Sequence, residues 1–525
     1  MPLTLPCIDP QPLLARLERT DAFHRDPLFA VDPMPGHTGP ALVVRSWNEA
    51  YALHGPARPA DVNPAYVAAL ICGAPRADVA PYRRIRRLPR AHDVLICANG
   101  DLYTTPYDPL AGGAAAMDAE TLHLFLRQGL VDHVRRAIEG HTGPIGCEHS
   151  SGLDSNAVMG ALVHGIGLPP ERLHTWSNEK GGEGLLLAEF RPFYRMRSDH
   201  CHRLTPQNFP HELPVAHDIS IMKQNLQVFG APPQIGDNLI ALALLRRQGC
   251  TIVFSGLGGD QAISHNAENV PTDLVAKARW TELGRWIGGR RRTLIRAVIE
   301  RNLALHYRPW AVRRVLHSTS DFVRSDMLER TLTVDGRAWL GAHLRKSYPW
   351  EIDGWSPLHT SIRQRVLADW VAIRAEDETR LAAAHGMAKS FPLLDELLIA
   401  TLLRQDPALF GERAGHGRLL HRRAFGPFLP PFLRHNPTKY REPEDGWEQQ
   451  QAWVITRRRK VLERCLESSR HWHPALSRTW DLAAIRREAE TIAAKPEPTF
   501  KEVFGTSMEL ATLAALNGWW EALDG

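Results

Sequence analysis

From Asp118 onward the apolar residues Leu122, Phe125, Leu126, Leu130, Val134 and Ile138 recur at the period of one helix face, with Asp118 placed to cap the first turn. The pattern then changes period. Pro144 to Glu148 reads as a short buried strand, Ser155 to His164 as a helix striped by Ala157, Val158, Ala161 and Leu162, and Leu173 to Ser177 as a strand again. Cys250 to Ser255 repeats the strand, again followed by a glycine turn. This alternation predicts a parallel sheet with crossover helices. Upstream, the segments ALVVRSW (41–47), AYVAALICG (65–73) and DVLICANGDLYTTPYDP (93–109) read as short β segments broken by Pro and Gly. Asn99-Gly100 suits the type I′ turn of a hairpin. Pro106, Pro109, Gly112 and Gly113 mark a linker, so the expected division is a β-rich unit over 1–112 and an α/β unit over 113–525. From Thr272 to Trp350 the pattern is helical and rich in Arg and Trp.

Composition narrows the classes. A chain of 525 residues with 44% hydrophobic and 23% charged residues folds around a large core and is not a disordered or disulfide-stapled protein. The seven cysteines are scattered without a C-x-x-C pair, which predicts reduced thiols and a cytoplasmic protein. No H-x-x-x-H or H-E-x-x-H pair suggests zinc. The N-terminal residues lack a signal-peptide pattern, and the most apolar run, Leu239 to Leu245, is too short to span a bilayer. A net charge of +5 is mild for this length, so neither a nucleic acid nor a membrane is an expected partner.

Two strand-end loops carry candidate chemistry. Glu148-His149-Ser150-Ser151-Gly152-Leu153-Asp154-Ser155-Asn156 follows a strand and opens a helix, where small residues let backbone N–H groups approach phosphate oxygens. The Walker A spacing and its lysine are absent. An aspartate inside a phosphate loop repels its ligand unless a cation lies between them, so Asp154 points to Mg²⁺. Ser255-Gly256-Leu257-Gly258-Gly259-Asp260 again closes a strand with glycines and a carboxylate. Loops at the carboxyl ends of one parallel sheet share a crevice, so Asp154 and Asp260 are candidates to hold one Mg²⁺ across the phosphates. The bland alternative is two ordinary strand–helix turns, each with aspartate as a cap.

These residues resemble the asparagine synthetase-like ATP pyrophosphatases. Ser150 to Asn156 matches that family's S-G-G-L-D-S-S except at Ser151 and Asn156, and Ser255 to Asp260 matches S-G-x-G-[SG]-D throughout. Phe391-Pro392-Leu393-Leu394-Asp395 is similar to its P-F-L-D segment. Arg418-Leu419-Leu420-His421-Arg422 with Phe428-Leu429-Pro430 is similar to its K-x-x-L-R…L-P helix. The resemblance implies a degenerate glutaminase-like domain followed by a parallel-sheet ATP pyrophosphatase domain (adenine nucleotide alpha-hydrolase-like) with helical additions. It implies ATP and Mg²⁺ as cofactors, with a carboxylate adenylated and then attacked by an amine. By resemblance, Ser150, Ser151, Gly152, Asp154 and Ser155 cradle pyrophosphate. Ser177, Ser255 and Gly256 border adenine and ribose, Asp154 and Asp260 hold the metal, and Arg418 stands where the family's lysine steadies the acyl-adenylate and the later oxyanion.

The departures set further expectations. Pro2 follows Met1, and Cys7 is internal, so the N-terminal domain is expected to be a scaffold that makes no ammonia, and the amine comes with the substrate. Two branches fit: β-lactam-forming synthetases, which carry a tyrosine where this chain has Leu257, and lasso-peptide cyclases, which often read S-G-x-G-G-D as here. The lasso branch is favoured, with a precursor peptide as substrate and a leader-peptide-binding protein and a leader peptidase as companion partners. A reading of another class is a non-catalytic scaffold that binds nucleotide or peptide. Lys389 and Lys439 are fallbacks for the role of Arg418. Glu376, Asp377 and Glu378 are expected to be solvated helix charge, and Glu148 to face away from the site. Trp280, Trp286, Trp310 and Trp339 are candidates to wall a peptide-sized chamber.

Overall fold

The computed structural model describes residues 14–23, 27–33, 40–71, 77–97, 101–178, 183–204, 232–267, 269–288, 295, 331–343, 356–411, 418–435, parts of 455–467, and 472–524. Cys7, Trp310, Lys439 and the Asn99-Gly100 turn fall outside them.

The N-terminal region holds two small antiparallel sheets. The strands β1 (Leu14–Arg19), β2 (Phe29–Val31), β3 (Leu42–Val44), β4 (Ile85–Arg87), β5 (His92–Cys97) and β6 (Leu102–Pro106) pair in the orders β1-β5-β6 and β3-β2-β4. The hairpin expected from 93 to 105 is the β5–β6 pair. Two helices interrupt the strands, α1 (Trp47–His54) and α2 (Pro64–Ile71). The second corrects the β reading of 65–73. Asn63 Oδ1 accepts the Ala65 N–H at 3.1 Å and Pro64 occupies the first helical position, so a start signal and an alanine-rich run outweigh the short apolar stretch.

The linker leads into α3 (Ala119–Ala137), where Asp118 caps as expected by accepting the Thr121 N–H at 2.9 Å. Leu122, Leu126, Leu130 and Val134 are buried on one face. Next come β7 (Ile145–Glu148), α4 (Leu153–Gly160), β8 (Leu173–Asn178), α5 (Glu183–Phe193), β9 (Cys201–Leu204), α6 (Pro232–Arg247) and β10 (Ile252–Phe254). α7 (Asp369–Ala384) precedes β11 (Ala388–Ser390), and α8 (Leu419–Phe425) and α9 (Phe500–Asp524) lie further on. The five strands form one sheet in the order β11-β10-β7-β8-β9, and all four pairings are parallel.

Strand alternation sends side chains to two cores. Ile145, Cys147, Leu173, Ile252 and Phe254 join the core with α3 and α4. Val253 joins the opposite core with residues of α6, α7, α9 and the N-terminal region, including Trp47 and Tyr82. The order matters for function. The chain runs outward from β7 through β8 to β9, then returns to place β10 on the other side of β7. The direction of winding therefore switches between β7 and β10, where open α/β sheets bind ligands at the carboxyl ends.

The Trp-rich region contributes packing. Trp286 is 7% exposed and belongs to the core of α3 and α4, and Trp339 packs against the opposite core. Of the described tryptophans expected to wall a chamber, Trp280 alone is largely exposed. Among the described residues no helix is long and apolar enough to cross a membrane.

Candidate active site

The two loops read from the sequence follow β7 and β10, the neighbouring strands at the switch point. α4 starts at Leu153, two residues earlier than its apolar stripe suggested, with Gly152 as its cap residue. The first-turn N–H groups of Leu153, Asp154 and Ser155 thus point out of the helix start without intrahelical acceptors. The loop is stapled from within. Ser150 Oγ and Ser155 Oγ are 2.9 Å apart, the Gly152 N–H donates to Ser150 Oγ, and Asn156 Nδ2 donates to the carbonyls of Ser150 and Gly152, each at 2.7 Å. Asn156 Oδ1 accepts from the Tyr194 hydroxyl at 3.0 Å and lies 3.3 Å from His149 Nε2. The departure at Asn156 therefore has a structural role, since an amide supplies two donors that one hydroxyl lacks. Burial pushes the His149 imidazole down to about 4, so it is neutral here. Ser151 is wholly buried, and Ser177 lies buried near the carboxyl end of β8, one strand from the loop.

The second loop lies directly against the first. A Cβ on Gly256 would come 2.8 Å from the Ser155 amide nitrogen, and one on Gly259 would come 2.1 Å from Asp154 Cγ. Gly258 has a φ of +101°, and a Cβ there would sit 2.6 Å from Leu394. The glycine run is thus required by close approach and by backbone sign. Gly259, whose added Cβ would meet the Asp154 carboxylate, directly precedes Asp260 in the chain. Ser264 Oγ donates to Asp154 Oδ1 at 2.7 Å, and no described residue donates to Oδ2.

Arg418 closes the crevice from the cap position just ahead of α8. Its guanidinium is 2.8 Å from Asp260 Oδ1, and its Nε donates to Asn266 Oδ1 at 3.2 Å. Arg418 is also one of five described non-glycine residues with positive φ, at 62°, a strained backbone of the kind held at functional sites. The residues fit Mg²⁺ on the chemistry of the donors: two carboxylates from adjoining loops, one with an oxygen left over, beside helix N–H groups suited to phosphate. Among the described residues no group of three or more His, Cys, Asp or Glu converges on a metal position. A cation here would thus be held by few protein ligands and by phosphate oxygens.

Beneath the loops is a buried charge network that the sequence reading missed. Glu148 does not face away. Its Oε2 accepts from Ser255 Oγ at 2.6 Å, and its Oε1 pairs with Lys389 Nζ. Lys389, 3% exposed, also pairs with Glu378 at 3.2 Å, and Glu378 pairs with Arg374 at 2.8 Å. Lys389 is therefore committed below the site and is no substitute for Arg418. The acidic cluster expected in solvent is also corrected: Glu376 and Glu378 are each 4% exposed, and Glu376 pairs with Arg87 of β4. Their helix, α7, presents that face to β11 and the N-terminal region, so the charges are covered. Asp395, in the P-F-L-D-like segment, is a cap whose Oδ1 accepts the Leu398 N–H at 3.1 Å.

No curated protein matches the chain in a sequence search. The asparagine synthase family model matches residues 126–519, a span that contains both loops, Arg418 and the whole parallel sheet. On that match the chain belongs to the asparagine synthase family, whose members are ATP-dependent, AMP-forming, amide-making ligases.

Proposed function

We propose that the protein is a lasso-peptide cyclase that joins an Asp or Glu side chain of a precursor peptide to the peptide's own N-terminal amine. The observation that carries this reading is the backbone contact of the two strand-end loops at the switch point, with Arg418 across Asp260. The first-turn N–H groups of α4 and the hydroxyls of Ser150 and Ser155 bind the β- and γ-phosphates. Asp154 and Asp260 would hold Mg²⁺, which neutralises the leaving pyrophosphate. A carboxylate oxygen of the peptide attacks the α-phosphorus as the bond to the β-phosphate oxygen breaks. Arg418 keeps a guanidinium at the crevice mouth for the acyl-adenylate and for the oxyanion formed when the amine attacks. The C–O bond to AMP then breaks and the amine proton leaves.

One observation favours a peptide that brings its own amine. Leu257 is apolar and 6% exposed, so it cannot take the proton-handling part that a tyrosine would. A leader-binding protein and a leader peptidase would deliver the trimmed peptide in the cytoplasm.

The test uses a candidate precursor peptide, sought as a short reading frame neighbouring the gene and trimmed of its leader, with ATP and Mg²⁺. The peptide should lose one water in mass while AMP and pyrophosphate appear. Acetylating its N-terminus should block that loss yet permit adenylation, and amidating the acceptor side chain should block both. A dehydrated product from the acetylated peptide refutes macrolactam closure at the N-terminus.

A further inference from the structure

His421 lies three residues past Arg418 on α8, on the same side of the crevice as Asp154. It is wholly buried, and the edge-to-face ring of Phe425, at 4.9 Å, fixes its plane. Its Nε2 is 3.3 Å from Asp154 Oδ1, an ion-pair distance, yet neither ring nitrogen makes an aligned hydrogen bond. A buried imidazole aimed at a carboxylate without completing the bond is set for a small shift of that carboxylate. Ser264, also buried, already donates to the same oxygen at 2.7 Å. Both neighbours thus address Oδ1, and Oδ2 receives no hydrogen bond from a described residue.

We propose that His421 is a positioning residue for Asp154. In the tautomer protonated at Nε2 it donates to Oδ1 once a divalent cation draws the carboxylate into line. Ser264 and His421 then occupy Oδ1 together and leave Oδ2 as the cation-holding oxygen beside the phosphates. Hydrogen bonds to a ligating carboxylate orient it and raise metal affinity, and their loss commonly costs 10–100-fold. The inference rests on the reading of the crevice as a Mg²⁺·ATP site.

The experiment titrates Mn²⁺ into the full-length protein with ATP, following free Mn²⁺ by its electron paramagnetic resonance signal. His421→Leu should weaken Mn²⁺ uptake about 10–100-fold, and His421→Gln, which keeps an N–H donor near the Nε2 position, should restore most of it. ATP affinity in EDTA should be unchanged in both. Uptake by His421→Leu equal to the parent overturns the proposal. So does equal loss in Leu and Gln variants of unchanged melting temperature, which indicates packing alone, or nitrogen hyperfine coupling from an imidazole bound directly to Mn²⁺. If His421→Leu fails to fold, Ser264→Ala decides: weaker Mn²⁺ uptake with unchanged metal-free ATP binding supports the two-donor arrangement, and unchanged uptake overturns it. A parent protein that takes up no Mn²⁺ with ATP removes the nucleotide-site reading itself, which separates that failure from failure of the role of His421.

Discussion

Gly259→Ala adds one methyl group at the point where the two loops touch. An ideal Cβ there falls 2.1 Å from Asp154 Cγ, 2.2 Å from Oδ1 and 2.7 Å from Oδ2, so the carboxylate has to move. The backbone poses no objection, since Gly259 is not among the glycines with positive φ. Moving Asp154 breaks its bond from Ser264, and a hydrogen bond to a charged group contributes about 1.5–3 kcal/mol. Overpacking by one methyl would cost a comparable ~1–3 kcal/mol if the carboxylate stayed in place, so the two costs are alternatives and not a sum. Global stability in urea should thus fall by about 1–3 kcal/mol, leaving the protein folded. Mg²⁺-dependent ATP binding should suffer more, because a misplacement of ~1 Å in a positioned group is worth about 10²-fold. Gly256→Ala is the contrasting variant. Its Cβ meets the Ser155 backbone nitrogen at 2.8 Å and Asp154 C at 3.0 Å, so no side chain can yield and the fold itself should be damaged. Gly284, with nothing within 4 Å of its added Cβ, lies inside the helix Trp280–Ile287, and Gly284→Ala should stabilise by up to ~1 kcal/mol. A Gly259→Ala protein with the parental Mg²⁺ dependence of ATP binding would refute the placement of Asp154 against the second loop.

Lys389→Met leaves Glu148 and Glu378 without their shared cation and should cost about 3–5 kcal/mol in urea unfolding; a loss under ~1 kcal/mol would show that the network is not the buried unit described. Arg418→Ala should scarcely change stability, because Arg418 and Asp260 are 32% and 58% exposed and exposed pairs contribute ~0–1 kcal/mol. On the proposed peptide reading, its ATP/pyrophosphate exchange with the precursor peptide should fall about 10²–10³-fold, with Arg418→Lys partly restoring it; unchanged exchange in the alanine variant removes Arg418 from the site. Burial pushes His149, His174 and His359 down to about 4 and His265 to about 3. The unfolded chain protonates these groups near 6.5 and the folded chain resists, so their contribution is complete above about pH 6.5 and is lost as pH falls toward 4. Asp273 and Asp377, pushed up by burial to about 6 and about 7, act in the opposite sense but are two against four. Urea midpoints should therefore fall between pH 6.5 and 4.5, and a flat or rising profile would contradict the neutral burial of these histidines.

What the sequence disclosed was local. Each strand-end loop is a contiguous run whose glycines and carboxylate announce a turn against a ligand, and the alternation around it places both loops on one sheet edge. The cap at Asp118 was legible because capping acts over three residues. Short edge strands were not: β9 and β11 have four and three residues, too few to show a period. The charge network escaped for another reason. Glu148 and Lys389 are 241 positions apart, and nothing in either neighbourhood distinguishes a buried partner from a solvated one. The triplet at 376–378 looks like surface charge until its helix is seen to be covered on that face. His421 was likewise silent, since a single histidine between Leu420 and Arg422 has no pattern to report its distance from Asp154.

That network also bears on the N-terminal region. Its attachment to α7 is ionic and buried: Arg87 pairs with Glu376, and Arg90 pairs with Asp369 at 2.6 Å and donates to the Leu367 carbonyl. On the same helix Glu378, itself paired with Arg374, holds Lys389, which holds Glu148, whose other oxygen accepts from Ser255 at the head of the second loop. Breaking any buried pair strands a charge in a region with few alternative partners, so each pair fixes the next. The region upstream of the linker is therefore continuous, through packed charges on one helix, with the strand ends that carry Asp154 and Asp260. An unattached accessory domain would have no such continuity. Its physical effect is to hold α7, and through Lys389 the two loop roots, in one register, which is a reason for it to persist independent of any chemistry of its own.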